Sequence, residues 1–318
     1  MAVVDTQWHG NPSPSLPPLR QVPADVRSVL TAGPPPGRER AENFRVASRL
    51  LPKAVRRDLL AVYRFARFVD DLGDEGDATT VERLGWLEWA DVELARSRVG
   101  LASHPVFADL GATIRDRHLA LEPFRRLIEA NRVDQTVVDY ETFGHLREYC
   151  RLSAEPVGEI VLGLFGLATE ERLAWSASVC TGLQVVEHCQ DVAEDHQRGR
   201  TYLPRDDREH FGVRDADLVG PRAGAGLRSL VALEVGRAKA LLGAGAALAA
   251  QLPGRFRVAV AGFTAGGLAA CDAIEAVDFD VLGHRCRPSR TVVAARTMEV
   301  LRRPAALWPG ASVSGAKQ

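Results

Sequence analysis

Between Gln184 and Pro204 the chain reads QVVEHCQDVAEDHQRGRTYLP, and three carboxylates, Glu187, Asp191 and Asp195, recur at every fourth residue. On a helix, residues four apart lie above one another on one face. Like charges stacked in this way destabilise an isolated helix by about 0.2–0.5 kcal/mol per pair. A bound divalent cation is the simplest compensation; a solvated acidic face is the competing reading. Directly after the cluster come Arg198, Arg200 and Tyr202. A cationic turn beside a metal-binding face suits a phosphate-bearing substrate, although Arg near a helix C-terminus also opposes the macrodipole with no function implied.

A second acidic cluster lies far upstream. The run VYRFARFVDDLGDEG carries Asp70, Asp71, Asp74 and Glu75 at the end of an apolar stripe of Leu59, Val62, Ala66 and Val69. Asp70 and Asp74 share a helix face, and Tyr63 and Arg67 fall on the same stripe. Carboxylates at a helix C-terminus oppose the macrodipole, a cost that a cation would relieve. The plain alternative is an acidic helix end running into a glycine turn.

The elements that must position these clusters are helical. The chain has 318 residues, 46% hydrophobic, 25% charged and only 6% aromatic, with a formal net charge of −1. That composition can bury a sizeable core and favours helix over sheet. Near-neutral charge argues against a general nucleic-acid binder. The five cysteines, Cys150, Cys180, Cys189, Cys271 and Cys286, form no CxxC pair, which disfavours zinc and a disulfide framework and fits a reducing cytoplasm. No secretory signal pattern and no membrane-spanning run is expected, Ser229 to Ala250 coming closest in length but carrying Glu234, Arg237 and Lys239.

Residues 1–38, with PSPSLPP and GPPPG, read as a loose leader, residues 39–303 as one helical domain, and 304–318 as a frayed tail. Pro52 opens a helix ending in the first acidic cluster. Residues 79–130 read as two or three amphipathic helices with Trp86 and Trp89 as ordinary packing, and His118 as a surface or satisfied core residue. Gly144 is expected to end a helix, and Ser153 to Gly158 to bend the next. A helix is expected from Leu173 to Gln197, then Ala- and Gly-rich helices over Ala223 to Gln251, Arg255 to Phe279 and Ser289 to Leu301.

Facing each other across a helix bundle, two such clusters could hold two or three Mg²⁺ ions, which bind a few carboxylates together with substrate phosphate oxygens. Metal and Arg would make a diphosphate a good leaving group. The carbocation left behind needs a dry apolar pocket with aromatic faces, for which Phe44, Tyr63, Phe165 and Tyr202 are candidates.

With these residues in place, the chain resembles the squalene/phytoene synthases over about Arg40 to Arg290. Two motifs carry the likeness: Tyr63, Arg67, Asp70, Asp71 and Asp74 in the pattern Tyr-x-x-x-Arg-x-x-Asp-Asp-x-x-Asp, and Gln184, Glu187, Asp191, Asp195, Arg200 and Tyr202 in the second. The resemblance implies an all-α, single-domain bundle of the class I isoprenoid synthase type. It implies Mg²⁺ on Asp70, Asp74, Asp191 and Asp195, with Asp71 and Glu187 as further candidate ligands. It also implies that Arg67, Arg200 and Tyr202 hold or trigger the diphosphate, with Gln184 and Phe44 on the substrate side and Tyr63 and Tyr202 in the catalytic set.

Three stretches, Glu42 to Pro52, Ser153 to Gly158 and Gln190 to Pro204, are similar to the hopanoid-pathway branch. That branch contains hydroxysqualene-forming enzymes, which ionise presqualene diphosphate and capture the rearranged cation with water. No NADPH is then expected. Two residues depart from the pattern: Glu187 and Glu155 stand where Asn is usual. Glu187 can still offer an oxygen to a metal but adds a negative charge. The alternatives are head-to-head condensation of prenyl diphosphates such as farnesyl diphosphate, giving presqualene diphosphate, squalene or phytoene, and a non-catalytic partner subunit that keeps the fold. Any membrane contact is expected to be peripheral to a cytoplasmic protein, and neighbouring hopanoid-pathway enzymes are the expected protein partners.

Overall fold

The computed structural model describes residues 53–74 and 78–302. Thirteen α-helices form among these residues, with one 3-10 turn at Asp215–Leu218 and a lone parallel bridge between Asp139 and Thr201. The first four are α1 (Lys53–Asp74), α2 (Thr80–Arg98), α3 (Pro105–Arg117) and α4 (Glu122–Val133). Then come α5 (Phe143–Ser153), α6 (Glu155–Leu164), α7 (Glu170–Gln190), α8 (Val192–Gln197) and α9 (Arg205–His210). The last four are α10 (Ala225–Gly245), α11 (Ala247–Ala250), α12 (Gly254–Glu275) and α13 (Arg290–Arg302). Phe44, the Glu42 to Pro52 stretch, Glu75, the leader and the tail fall outside the described residues.

Two apolar cores flank the site. The first gathers around α1, whose Leu59, Val62, Phe65, Phe68, Val69 and Leu72 are all buried. Phe65 meets Phe107 and Phe124 edge-on at 5.6 and 5.5 Å between ring centroids, a geometry that the ring quadrupoles favour. Trp89 joins this core against Phe68 and Trp86 packs at its edge, as the sequence suggests. The second core gathers α7, α10 and α12. Its helices approach closely because glycine stands at their crossings. A Cβ on Gly245 would meet the backbone oxygen of Trp175 at 2.7 Å, and one on Gly182 would meet Leu242 Cγ at 2.9 Å.

Several boundaries differ from the sequence reading, each for a local reason. Gly144 does not end a helix: it sits in the first turn of α5, which Thr142 caps by accepting from the His145 amide. Residues 79–130 resolve into three helices, the first opened by a reciprocal Thr79–Glu82 capping box. The helix expected over Leu173 to Gln197 is two, parted at Asp191 (φ −104°, ψ 14°). The segment over Ala223 to Gln251 is also two, parted at Ala246, and α12 starts at Gly254, next to the expected Arg255, but ends at Glu275, short of Phe279. Among the described residues, the helix long and apolar enough by composition to cross a membrane is α12, not the 229–250 segment; half of its apolar window is buried inside the bundle. The turn at Ser153 to Gly158 does break the chain, parting α5 from α6 at Ala154, with Pro156 in the first turn of α6. His118 is exposed and ends α3 in a left-handed conformation (φ 54°).

Candidate active site

The first acidic cluster meets the cationic turn that follows the second. Asp74, at the last residue of α1, accepts a 2.7 Å hydrogen bond from Arg200 Nη2, although 126 residues separate them. Arg200 reaches this position because the chain turns sharply after α8. The Arg200 amide donates back to the Asp195 carbonyl at 2.9 Å, with Gly199 at φ 79° making the turn. Thr201 then donates to the Val138 carbonyl and Arg205 to that of Tyr140, so residues 201–205 run beside 138–140. Burial opposes the Arg200 charge, but the bond to Asp74 and the field of Asp134 prevail and raise its pKa. The guanidinium is permanently charged.

On α1, Asp71 is buried and paired with Arg67 at 2.5 Å. Asp70 points the other way. Solvent reaches its side chain, yet protein surrounds it closely. That desolvation raises its carboxyl to about 6, while the Asn131 amide, at 3.3 Å, and Arg67 pull in the opposite direction. Asn131 comes near because residue 73 lacks a side chain: a Cβ there would lie 2.5 Å from Asn131 Oδ1. Tyr63 is half-buried on α1, one turn before Arg67.

On the facing side, the break at Asp191 does not scatter the acidic ladder. The Asp191 amide donates to the Glu187 carbonyl and the Asp195 amide to that of Asp191, at 2.9 and 2.8 Å. The i to i+4 pattern thus carries through the joint, and all three carboxylates remain half-buried. Gln184 lies 3.2 Å from His188 Nε2. Glu155 opens α6, where a carboxylate suits the helix N-terminus, and accepts from the Thr181 hydroxyl of α7 at 3.2 Å.

Between the clusters lies a group that the sequence reading did not assign. Asp134, just past α4, accepts from Tyr149 at 2.7 Å on one oxygen and from Tyr202 at 3.0 Å on the other. Desolvation raises the Asp134 pKa, against the opposing pull of Arg200 and the two hydroxyls. Burial and then the Asp134 charge push both tyrosines up, so they stay protonated donors. Tyr202 is stacked between His188 (3.9 Å, 15°) and Tyr140 (5.7 Å, 19°). The Tyr140 hydroxyl is buried without a hydrogen-bond partner among the described residues. Of the proposed aromatic faces, Tyr202 is therefore central. Phe165 packs instead on Phe256 at 4.2 Å, in a different apolar cluster.

The implied cation fits the donor chemistry but not an all-protein cage. Among the described residues, no group of three or more His, Cys, Asp or Glu could by itself hold an ion. The available donors are carboxylate oxygens, and desolvation holds the Asp70 carboxyl above its usual value despite the Asn131 bond and the Arg67 charge. Such a site matches Mg²⁺, which keeps waters and fills its octahedron with substrate phosphate oxygens.

The chain is similar to known proteins in fold and in sequence. The bundle superposes on a solved squalene synthase HpnC from Alicyclobacillus acidocaldarius with a TM-score of 0.71 and 41% identity, covering 82% of this chain and 98% of that one. It also superposes on a dehydrosqualene synthase at a TM-score of 0.73 and 23% identity, covering 87% and 94%. The fold is that of the all-α isoprenoid synthases. A squalene/phytoene synthase family model matches residues 38–292, and the chain belongs to that family, whose members act on prenyl diphosphates. Among its relatives are hydroxysqualene synthases of Rhodopseudomonas palustris, 34% identical over 67% of this chain and 72% of the relative, and of Sinorhizobium fredii, 32% identical over 70% and 76%.

Proposed function

We propose that the protein converts presqualene diphosphate and water to hydroxysqualene and diphosphate, with Mg²⁺ as cofactor. The observation that carries the reading is the Asp74–Arg200 bond, which brings the end of the first acidic motif against the arginine of the second. The relatives named hydroxysqualene synthase favour this branch. In the reaction the substrate C–O bond breaks with both electrons leaving on the diphosphate. The carbocation rearranges, water forms the new C–O bond, and its proton passes to diphosphate or solvent. No hydride is added, so NADPH has no role.

Mg²⁺ held by Asp70, Asp74, Asp191 and Asp195, with Asp71 and Glu187 adjoining, would neutralise charge on the departing diphosphate. Arg200 and Arg67 supply fixed positive charge to the same group. Tyr202 and Tyr149 are locked by Asp134, to which both hydroxyls donate, and with Tyr140 and His188 they form one packed aromatic wall. Packed rings there limit access of water. The catalytic domain is taken as 39–303, working in the cytoplasm.

A second reading, head-to-head condensation of prenyl diphosphates, is favoured by the 41% identity to a structure named squalene synthase and by phytoene synthases such as that of Arthrospira platensis at 30%. Purified protein with Mg²⁺ and presqualene diphosphate is expected to release hydroxysqualene without NADPH. Consumption of farnesyl diphosphate supplied alone would replace this reading by the second, and absence of diphosphate release from either substrate would leave a non-catalytic subunit.

A further inference from the structure

His188, in the last turn of α7, stands beside three side chains of the second motif at once. Gln184 lies one turn before it and Asp195 two turns after it, so the three share a helix stripe. That stripe crosses the break at Asp191, because His188 belongs to α7 and Asp195 to α8. His188 Nε2 lies 3.2 Å from the Gln184 amide nitrogen, and Nδ1 faces Asp195 Oδ2 at 3.8 Å. An amide nitrogen only donates, so Nε2 accepts and the ring hydrogen sits on Nδ1, toward the carboxylate. The ring face covers Tyr202 at 3.9 Å and 15°. His188 is buried, at 7% exposure.

These contacts matter because α8 has little of its own to hold it. Its six residues are too few for a helix stable by itself, and its buried residue is Val192. Asp195, and Tyr202 beyond the Gly199 turn, therefore take their orientation from neighbours. The long helix α7 is anchored in the second core, and His188 carries that anchorage across the break. The 3.8 Å gap exceeds a hydrogen bond, so the N–H dipole orients Asp195 without holding it rigidly. A partner that orients a ligating side chain changes metal affinity by about 10–100-fold.

We propose that His188 is a positioning residue of the diphosphate site: its Nδ1–H aligns Asp195 for the cation, and its face holds the Tyr202 ring. The inference rests on the proposed clamp of Mg²⁺ and arginine around diphosphate, and adds to it a residue that contacts neither ion nor phosphate.

The test is diphosphate release from presqualene diphosphate by the full chain, with Mg²⁺ titrated, together with the rise in melting temperature given by Mg²⁺ and inorganic diphosphate. His188→Phe keeps a flat ring against Tyr202 and loses both nitrogens. It is expected to raise the half-saturating Mg²⁺ about tenfold and to shrink the melting-temperature rise, with kcat at saturating Mg²⁺ unchanged. His188→Asn keeps an amide N–H near the place of Nδ1 and loses the ring. It is expected to keep the parent's Mg²⁺ requirement while kcat falls roughly tenfold. A merely structural role would move both parameters together in both variants. That result overturns the proposal, as does a His188→Phe variant that matches the parent in Mg²⁺ requirement and melting-temperature rise. Should His188→Phe not fold, His188→Asn decides alone, and a raised Mg²⁺ requirement or an unchanged kcat overturns the proposal. A parent with neither Mg²⁺-dependent release, from presqualene or farnesyl diphosphate, nor a melting-temperature rise removes the clamp and this inference with it. A responding parent keeps the clamp whichever way the variants fall.

Discussion

Asp134 is the side chain on which the site's geometry depends most. A carboxylate can accept from two tyrosines at once; an amide offers one acceptor oxygen and two donors. Asp134→Asn therefore leaves one buried hydroxyl facing a donor. The expected cost is about 1–3 kcal/mol of stability, with turnover falling on the order of 10²-fold as Tyr149 and Tyr202 lose their orientation. A circular-dichroism melt and a single-turnover assay separate the two effects. Glu187→Asn tests the departure in the second motif: removing its charge is expected to lower KM for the diphosphate substrate if repulsion dominates. An unchanged KM together with a Mg²⁺ requirement shifted to higher concentration would show Glu187 acting as a ligand.

Away from the site, Glu234 is buried on α10 with Arg237 as its partner. Desolvation raises its carboxyl to about 7, with Arg237 opposing and Asp207 assisting. Its folded pKa exceeds its unfolded value, so the unfolded state ionises first as pH rises. Stability is lost between about pH 4.5 and 7 and stays low above that. Glu234→Gln is thus expected to match the parent near pH 4 and to exceed it by roughly 3 kcal/mol at pH 8. Denaturant melts at the two pH values check the difference.

At the scale of elements, the bundle depends on where glycine permits contact, and composition could not say where. Gly236, Gly262 and Gly266 face open space, whereas Gly73, Gly158, Gly182 and Gly245 stand at close approaches. All seven look alike in the sequence. Gly73→Ala places a Cβ against Asn131 and pushes the amide off Asp70. The expected result is a loss of about 1–3 kcal/mol and a Mg²⁺ requirement shifted to higher concentration, measured by titrating the ion in the diphosphate-release assay.

The two acidic motifs were legible because each repeats at helical spacing within one short stretch of chain. The break at Asp191 was not, since the four-residue hydrogen bonding runs through it and leaves the side-chain period intact. Asp134, Tyr149, Tyr140 and His188 were missed for a related reason. Each comes from a different stretch of chain, and only the run of 201–205 beside 138–140 gathers them. Tyr140 and Tyr149, two of only four tyrosines in the chain, were the available signal.

At the scale of the molecule, the clamp joins two separately cored halves, α1–α4 on one side and α7, α10 and α12 on the other. Arg200 and Asp74 span them with one ion pair, half-exposed and so weak by itself. A ligand that engages both motifs should therefore stabilise the whole bundle, whereas a ligand of one motif should not. Inorganic diphosphate with Mg²⁺ is such a bridging ligand, carrying the charge of the leaving group without its isoprenoid tail. At about a hundredfold excess over Kd it is expected to add roughly 2.7 kcal/mol, a rise of several degrees in Tm for a domain of this size. Mg²⁺ alone or diphosphate alone is expected to give much less, because each leaves the other's charge uncompensated. Asp191→Asn and Arg200→Gln are expected to abolish the joint shift from opposite sides, the first by removing a metal oxygen and the second a phosphate donor. A shift that survives both substitutions would place diphosphate outside the clamp.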